Sequence, residues 1–322
     1  MCHYILLDEI EQLVIEKDSS LLLAHMLKEC GKEVKLIFIQ DLYFLTKYDF
    51  SLRAFSFESS LCNKSHFKVQ SFTKRDEERV RIKKNDTIHM RMEPPVDMKY
   101  IRVLWLLQYF ESIGTKVVNS PRGILQINEK VDAYCRQEDS IESYVGGDEF
   151  SFLKFTNTLK EKGKSSVIVK PLDQFQGIGV EKWDILNSGT DELKQKFLNK
   201  VRSNHGVIVA QPFVEEIYQG EVRSVFFKGK EIGSILKKPP QDSFLANIAQ
   251  GATYKSYVLT QLERKRCEKV CEEFKSIGVD WIAFDLLNSS LSEINITCPG
   301  LIVEVSVAYG VNKMSEIIEL ME

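Results

Sequence analysis

The chain has 322 residues, 43% of them hydrophobic and 28% charged, with 43 basic against 46 acidic side chains and a net charge of −3. That is an ordinary globular composition, long enough for two domains or one large one. Near-balanced charge with no long basic block speaks against nucleic acid as a main partner. No apolar run approaches the ~20 residues of a membrane helix, and the N-terminus lacks the layout of a signal peptide, so the expected location is the cytoplasm, off the membrane. Seven cysteines (Cys2, Cys30, Cys62, Cys135, Cys267, Cys271 and Cys298) form no CxxC pair. An odd, scattered set suits free thiols in a reducing compartment. Cys267 and Cys271 are spaced to share a helix face, but no histidine is near to complete a zinc set, and they read as small apolar side chains.

Residues 3–8 (HYILLD) read as a buried first strand ending in an acid. Asp18, Ser19 and Ser20 are a capping signal before an apolar run that Gly31 stops, which predicts a helix over 19–30. A second strand over 34–39 completes a βαβ unit, hence a parallel sheet. Residues 46–85 alternate in patches at 55–58 and 66–72, as a small antiparallel excursion would. A strand over 86–91 is broken by EPPVD at its carboxyl end, where open α/β sheets bind ligands, so Arg91 is a candidate contact. A helix over 98–113, a short strand over 116–119 and a linker at Pro121 follow, and the first domain is expected to end there.

Asn128 opens a helix whose Lys130 either faces a phosphate or decorates the surface. Residues 137–165 are charged and partly helical. The run 166–173 (SVIVKPLD) is a β-branched strand carrying Lys170, followed by a loop with Gly177 and Gly179. A strand lysine beside spaced glycines is a phosphate-gripping layout, because bare amides approach closely and the ammonium acts as a point charge; the glycines equally suit a tight hairpin. The strand 207–214 runs into Pro212. Such an interruption leaves backbone donors and acceptors free, which is what an adenine edge requires. A hairpin at 221–236 turns at 228–230 and directs Arg223 inward if Val222 and Ser224 face away. Residues 237–256 read as a long mobile loop, 260–277 as a helix, and 311 onward as a last helix.

Between those helices lies FDLLNSSLSEINITCP. Two β-prone runs flank an Asn-Ser-Ser cluster, which predicts a hairpin with Asp285 opposite Glu293 and Asn295 on the same face as Glu293. Facing carboxylates need a cation between them, and an oxygen-only set suits Mg²⁺ shared with nucleotide phosphates; a solvated acidic hairpin is the alternative.

The order of strand lysine, glycine loop, hinge strand, hairpin arginine, long loop and acidic hairpin resembles the ATP-grasp ligases. Within them the chain is most similar to bacterial-type glutathione synthetases, through EKDSS, QDLY, MRMEPPVDMKYI, VVNSPRGILQINEK, VIVKPLD, VAQPFV and AFDLLNSSLSEINITCP, in that family's order. The resemblance implies an N-terminal parallel α/β (pre-ATP-grasp) domain over 1–122 and an ATP-grasp α+β domain over 123–322, its lid at about 131–210. It implies ATP-driven activation of a carboxylate to an acyl phosphate and attack by an amine, here γ-glutamylcysteine and glycine, with Mg²⁺ or Mn²⁺ and a homo-oligomer of identical subunits. Lys130, Lys170, Gly177 and Gly179 would hold phosphates, the segment 211–214 adenine, and Asp285, Glu293 and Asn295 the metal. Arg223, Lys237 and Asn247 would be catalytic, and Asp18, Ser19, Ser20, Arg91 and again Asn247 would bind substrate.

The chain departs from that pattern in three places. The glycine loop reads DQFQG where the family has Asp-Gly-x-Gly-Gly. Leu245 stands where the family has arginine, although Lys237 is kept. Val303 precedes Glu304 where the family has Arg-Glu. Two cationic contacts are thus expected to be missing near the substrate carboxylates. Besides a true glutathione synthetase, this admits a paralogous ligase with another amine acceptor, since losing Arg–carboxylate pairs favours one, or a non-catalytic nucleotide-binding relative.

Overall fold

Residues 1–45, 51–63 and 65–322 are described by the computed structural model. The N-terminal part carries β1 (Cys2–Leu7), α1 (Ser19–Glu29), β2 (Glu33–Phe38), β3 (Ser51–Cys62), β4 (Ser65–Arg81), β5 (Thr87–Met90), α2 (Met98–Ser112), β6 (Lys116–Val118) and α3 (Pro121–Gln126). Then come α4 (Glu129–Tyr134), β7 (Tyr144–Gly146), α5 (Glu149–Glu161), β8 (Ser166–Lys170), β9 (Glu181–Asp184), α6 (Thr190–Ser203) and β10 (Ile208–Pro212). Last are β11 (Glu221–Phe227), β12 (Lys230–Lys238), β13 (Thr253–Tyr257), α7 (Gln261–Lys275), β14 (Trp281–Leu287), β15 (Ser290–Asn295), α8 (Ile302–Tyr309) and α9 (Met314–Met321).

The apolar runs of β1 and β2 are covered on both faces, as parallel strands are, and β1 pairs in parallel with both β2 and β5, which in turn pairs with β6. Asp18 Oδ1 accepts from the N–H groups of Ser20 at 2.8 Å and Leu21 at 2.7 Å, which starts α1 where the sequence predicts. The parallel α/β beginning is therefore as expected. The antiparallel excursion is a long hairpin, β3 on β4, that widens this sheet to the order β4-β3-β2-β1-β5-β6. Residues 46–50 and 64 of the expected excursion lie outside the described residues. Pro121 begins α3 rather than a linker, because a proline at the first helical position forfeits only an N–H that has no helical partner. The boundary expected at 122 thus falls inside a helix.

A second sheet, β7-β10-β8-β9, is antiparallel and is covered by α5 and α6 around Phe152, Leu159, Trp183, Leu193 and Phe197. Only Leu193 and Phe197 of α6 are buried, a thin apolar signal that explains why the sequence reading assigned no element there. The third sheet runs β13-β12-β11-β14-β15. Both its tight turns have two residues at positive φ, Lys228 and Gly229 (49° and 81°) and Asn288 and Ser289 (50° and 60°), the I′ geometry whose twist matches paired strands. The expected loop over 237–256 is corrected in part: it ends in β13, which pairs with β12 from Ser234↔Tyr257 to Lys238↔Thr253. The expected last helix from 311 onward is α9, and α8, which ends before Gly310, is a helix the sequence reading did not assign. No described helix is long and apolar enough to cross a membrane.

Asn119 joins the first sheet to the third. Its Nδ2 donates to Trp281 O at 2.7 Å and Ile296 O at 2.8 Å, and its Oδ1 accepts from Asp280 N at 3.0 Å and Trp281 N at 2.8 Å. One buried amide therefore fixes the start of β14 and the end of β15, the two ends of the acidic hairpin. Asn119→Ala is expected to lower stability by roughly 2–4 kcal/mol, since buried backbone groups lose their partners. An unchanged thermal midpoint would remove Asn119 from this role.

Candidate active site

A cavity of about 570 Å³ lies between the second and third sheets, closed at one end by the N-terminus of α1. The hairpin has the register read from the sequence, Asp285 opposite Glu293, and β11 on its other side places Arg223 opposite Asp285. Asp285 is the hub. Its Oδ1 accepts from Arg223 Nε at 2.9 Å and Lys237 Nζ at 2.8 Å, and its Oδ2 meets Arg223 Nη2 at 2.8 Å and Asn295 Nδ2 at 3.2 Å. Lys237 also reaches Glu221 Oε2 at 2.9 Å. Across the hairpin, Lys130 Nζ lies 3.0 Å from Glu293 Oε1 and donates to Gln174 O at 2.7 Å.

Burial pushes the Asp285 carboxyl up, but Arg223 and Lys237 outweigh it and hold the group below the usual carboxylate range. Burial likewise pulls the ammonium groups of Lys237 and Lys130 down, and the facing carboxylates more than restore them, Asp285 and Glu221 for Lys237 and Glu293 for Lys130. At Glu221 burial prevails over Lys237 and the carboxyl sits above its ordinary value.

Lys170, at the end of β8, points to Tyr134 Oη at 3.5 Å. The following loop takes left-handed backbone at Gln176 and Gly177 (φ 51° and 77°). A side chain at Gly177 would begin 3.2 Å from Asn247 Nδ2 and 3.3 Å from Leu245 Cδ1, so the 244–250 segment lies directly on the glycine loop. Gln250 Nε2 closes that contact by donating to Gln176 O at 3.1 Å. Gly179 is set apart from the other expected site residues. It does not line the cavity, and its carbonyl accepts from Lys200 Nζ at 2.8 Å.

Gln211, Pro212, Phe213 and Val214 line the cavity. The interruption frees less backbone than expected: Phe213 N donates to Ser166 O at 2.8 Å and Val214 O accepts from Ile217 N at 3.2 Å. Past Ala210, however, the ladder with β7 ends at Tyr144, and among the described residues no strand continues it on that side of β10. At the far end, Arg91 Nε donates to Ser20 Oγ and Nη2 to Pro299 O, both at 2.9 Å, and Ser19 Oγ accepts from Ile302 N at 3.2 Å. Asp18, Ser19, Ser20, Arg91 and Asn247 all border the cavity there or at the loop.

Cavity residues missed by the sequence reading include Glu129, Glu221 and Glu304, and Tyr134, which meets Lys170 without lining the cavity, was missed as well. Glu221 precedes Arg223 by two along a strand and so shares its face, and Tyr134 follows Lys130 by four along a helix. Those periods were sufficient to find both. Glu129 is a positioning group whose Oε1 accepts from Ile296 N (2.6 Å), Thr297 N (2.8 Å) and Thr297 Oγ1 (2.9 Å), a long-range contact with no local signal. The expected loss of two cations is corrected at one position. Leu245 lines the cavity, but Val303 is 2% exposed in the apolar core and does not.

Among the described residues no three His, Cys, Asp or Glu side chains gather as a metal cage. The candidate set is instead two carboxylates and an amide, Asp285, Glu293 and Asn295, joined across one hairpin. Hard oxygen donors of this kind fit a divalent cation that takes its other ligands from phosphates. Asp285 and Glu293 are here balanced by Arg223, Lys237 and Lys130.

An N-terminal parallel α/β sheet, two antiparallel sheets closing on one cavity, and lysines beside an acidic hairpin define the class: an ATP-grasp ligase. Solved structures agree in fold. D-cycloserine synthetase DcsG superposes with TM-score 0.67 at 11% identity, covering 99% of this chain and 100% of that one. The ATP-grasp ligase PsnB, complexed with a precursor variant, Mg and ADP, does so with TM-score 0.60 at 12%, covering 99% and 98%. The chain belongs to the prokaryotic glutathione synthetase family, whose N-terminal domain model matches residues 1–124 and whose ATP-grasp domain model matches residues 143–310. The glutathione synthetase of Coxiella burnetii is 26% identical, covering 99% of this chain and 95% of that protein, and that of Prochlorococcus marinus is 28% identical, covering 72% and 73%. The protein is an ATP-dependent, ADP-forming ligase that makes an amide bond between small-molecule substrates.

Proposed function

We propose that the chain joins γ-glutamylcysteine to glycine. The observation that carries this reading is the convergence, on one cavity, of the Asp285-centred charge cluster with the Asp18–Ser20 and Arg91 end, in a chain of this family. The cysteinyl carboxylate attacks the γ-phosphorus of ATP, ADP departs, and an acyl phosphate forms; the neutral amine of glycine then attacks the carbonyl carbon and phosphate leaves. No protein nucleophile takes part, so positioning and charge stabilisation carry the rate. Lys130 and Lys170 grip phosphates with the Gly177 loop, and the 211–214 segment meets adenine. Arg223 and Lys237, already aimed at the hub, neutralise the charge that builds on the transferring group. Asp285, Glu293 and Asn295 would hold Mg²⁺, which when bound neutralises phosphate charge. The α1 N-terminus with Arg91 takes the dipeptide, and Asn247 reaches substrate from the covering loop. The seven free cysteines accord with a cytoplasmic site of action, and the family resemblance with assembly from identical subunits.

The test is phosphate release by purified protein with Mg²⁺-ATP and γ-glutamylcysteine, with glycine or each of a panel of other amines added. Release that requires both the dipeptide and glycine is expected; release that requires a different amine would overturn glycine as the acceptor. That second reading has one observation behind it, the apolar Leu245 on the cavity wall. Leu245→Arg accordingly tests the acceptor site: KM for glycine is expected to fall about 10-fold through a new charge-assisted pair. An unchanged KM would favour another amine.

A further inference from the structure

We propose that Glu304 is the residue that binds the α-ammonium of the γ-glutamyl donor. The inference deepens the proposed ligase function and rests on it. Glu304 is the third residue of α8, lines the cavity, and is 3% exposed. A carboxylate in the first turn of a helix meets free backbone N–H groups, and Glu304 does bond its own. That leaves Oε2, which is buried with no hydrogen-bond partner among the described residues. The charged and titratable groups around it are Lys17 before α1, Lys68 on β4, Arg223 on β11 and Tyr254 on β13. None pairs with it: Arg223 is spent on Asp285, and no ion pair to Glu304 forms among the described residues. A buried carboxyl without a partner is expensive, and burial accordingly pushes this one above its ordinary value. The missing partner is a cation, and the cavity is the side from which it can come.

The position of Glu304 selects which ammonium. Ile302 N on Ser19 Oγ joins the start of α8 to the start of α1, and Arg91 joins Ser20 to Pro299 just before α8. Glu304 therefore belongs to the donor end, with Arg91 to meet the donor's carboxylate, whereas Asp285, Glu293 and Lys237 mark the reacting end. Reactivity points the same way. A carboxylate stabilises the protonated form of an amine, which would slow an acceptor that must attack as the free base. The α-ammonium of the donor never reacts, so pairing it aids recognition without penalty to chemistry.

The experiment compares γ-glutamylcysteine with N-glutarylcysteine, the same molecule without the α-amino group, by calorimetric affinity in the presence of ATP and by KM in ADP formation with glycine. Wild-type protein is expected to prefer γ-glutamylcysteine by about 10- to 100-fold, the range expected for one hydrogen bond to a charged group. Glu304→Gln is expected to weaken γ-glutamylcysteine by that factor and to leave N-glutarylcysteine unchanged, while Glu304→Asp keeps part of the preference. Equal wild-type affinity for the two compounds, binding of neither, or a full preference retained by Glu304→Gln would overturn the assignment. Should Glu304→Gln fail to fold, the wild-type comparison and Glu304→Asp decide it. Selective dipeptide binding without ADP formation would count against the ligase reading and leave the Glu304 assignment standing, so the two fail separately.

Discussion

Asp285→Ala is expected to abolish turnover, by at least about 1000-fold, and also to destabilise the fold by roughly 3–5 kcal/mol. The sequence alone predicts only the first effect, because it makes Asp285 a metal ligand of the hairpin. The structure buries Asp285 to 3% exposure between Arg223, Lys237 and Asn295, with its oxygens occupied by four donor contacts at 2.8–3.2 Å. Removing it strands the half-buried Arg223 and the buried Lys237, the latter keeping Glu221. The pH dependence carries the same signature. A carboxyl held below its unfolded value of 3.8 contributes stability that is fully present above that value and is lost as pH falls through its lower folded value. The stability gap between wild type and Asp285→Ala should therefore be wide at neutral pH and narrow below about pH 4. Thermal melts across that range, beside ADP formation, check both halves. A variant as stable as wild type at pH 7 would show that the cluster is not the buried hub described above.

What the sequence disclosed follows from the range of the interactions involved. Periodicity and turn chemistry are local, and a turn centred near Ser289 placed Asp285 against Glu293; the turn itself is the two residues Asn288 and Ser289, and a bulge between Asp285 and Leu286 brings the pairing to that register. The same local rules would have added Glu221 and Tyr134 had the faces of β11 and α4 been read beyond Arg223 and Lys130. Glu129 and Asn119 were out of reach, since their partners lie 161–177 residues away and no neighbouring residue hints at them. Val303 shows the opposite error. Comparison with the family pattern made it a lost substrate contact, yet the residue faces the apolar core, and only Leu245 alters the cavity. A helix such as α6, with two buried side chains, gives periodicity little to work with. The β13 strand was taken for loop because β12 supplies its order through pairing that the segment itself does not advertise.

Glu293→Ala should separate the two consequences that Asp285→Ala combines. Glu293 faces Asp285 across the hairpin, but its side chain is 26% exposed and among the described residues makes one ion pair, to Lys130. Lys130 keeps a second partner in Gln174 O, and water that reaches Glu293 also reaches the space its removal opens. The stability loss is therefore expected to stay near 1–2 kcal/mol, between that of a surface pair and a buried one. Turnover is expected to fall by about 100- to 1000-fold, because the hairpin would retain one carboxylate to share with the nucleotide and Lys130 would lose the group that positions it. Lys130 is the sensitive reporter. Burial pulls its ammonium down and Glu293 restores it, so in the variant the lysine should titrate lower and grip phosphate less well as pH rises. The KM for ATP of Glu293→Ala should accordingly climb on the alkaline side at a lower pH than in wild type. An unchanged alkaline limb together with normal turnover would remove Glu293 from the site; a normal limb with lost turnover would confine its role to the metal.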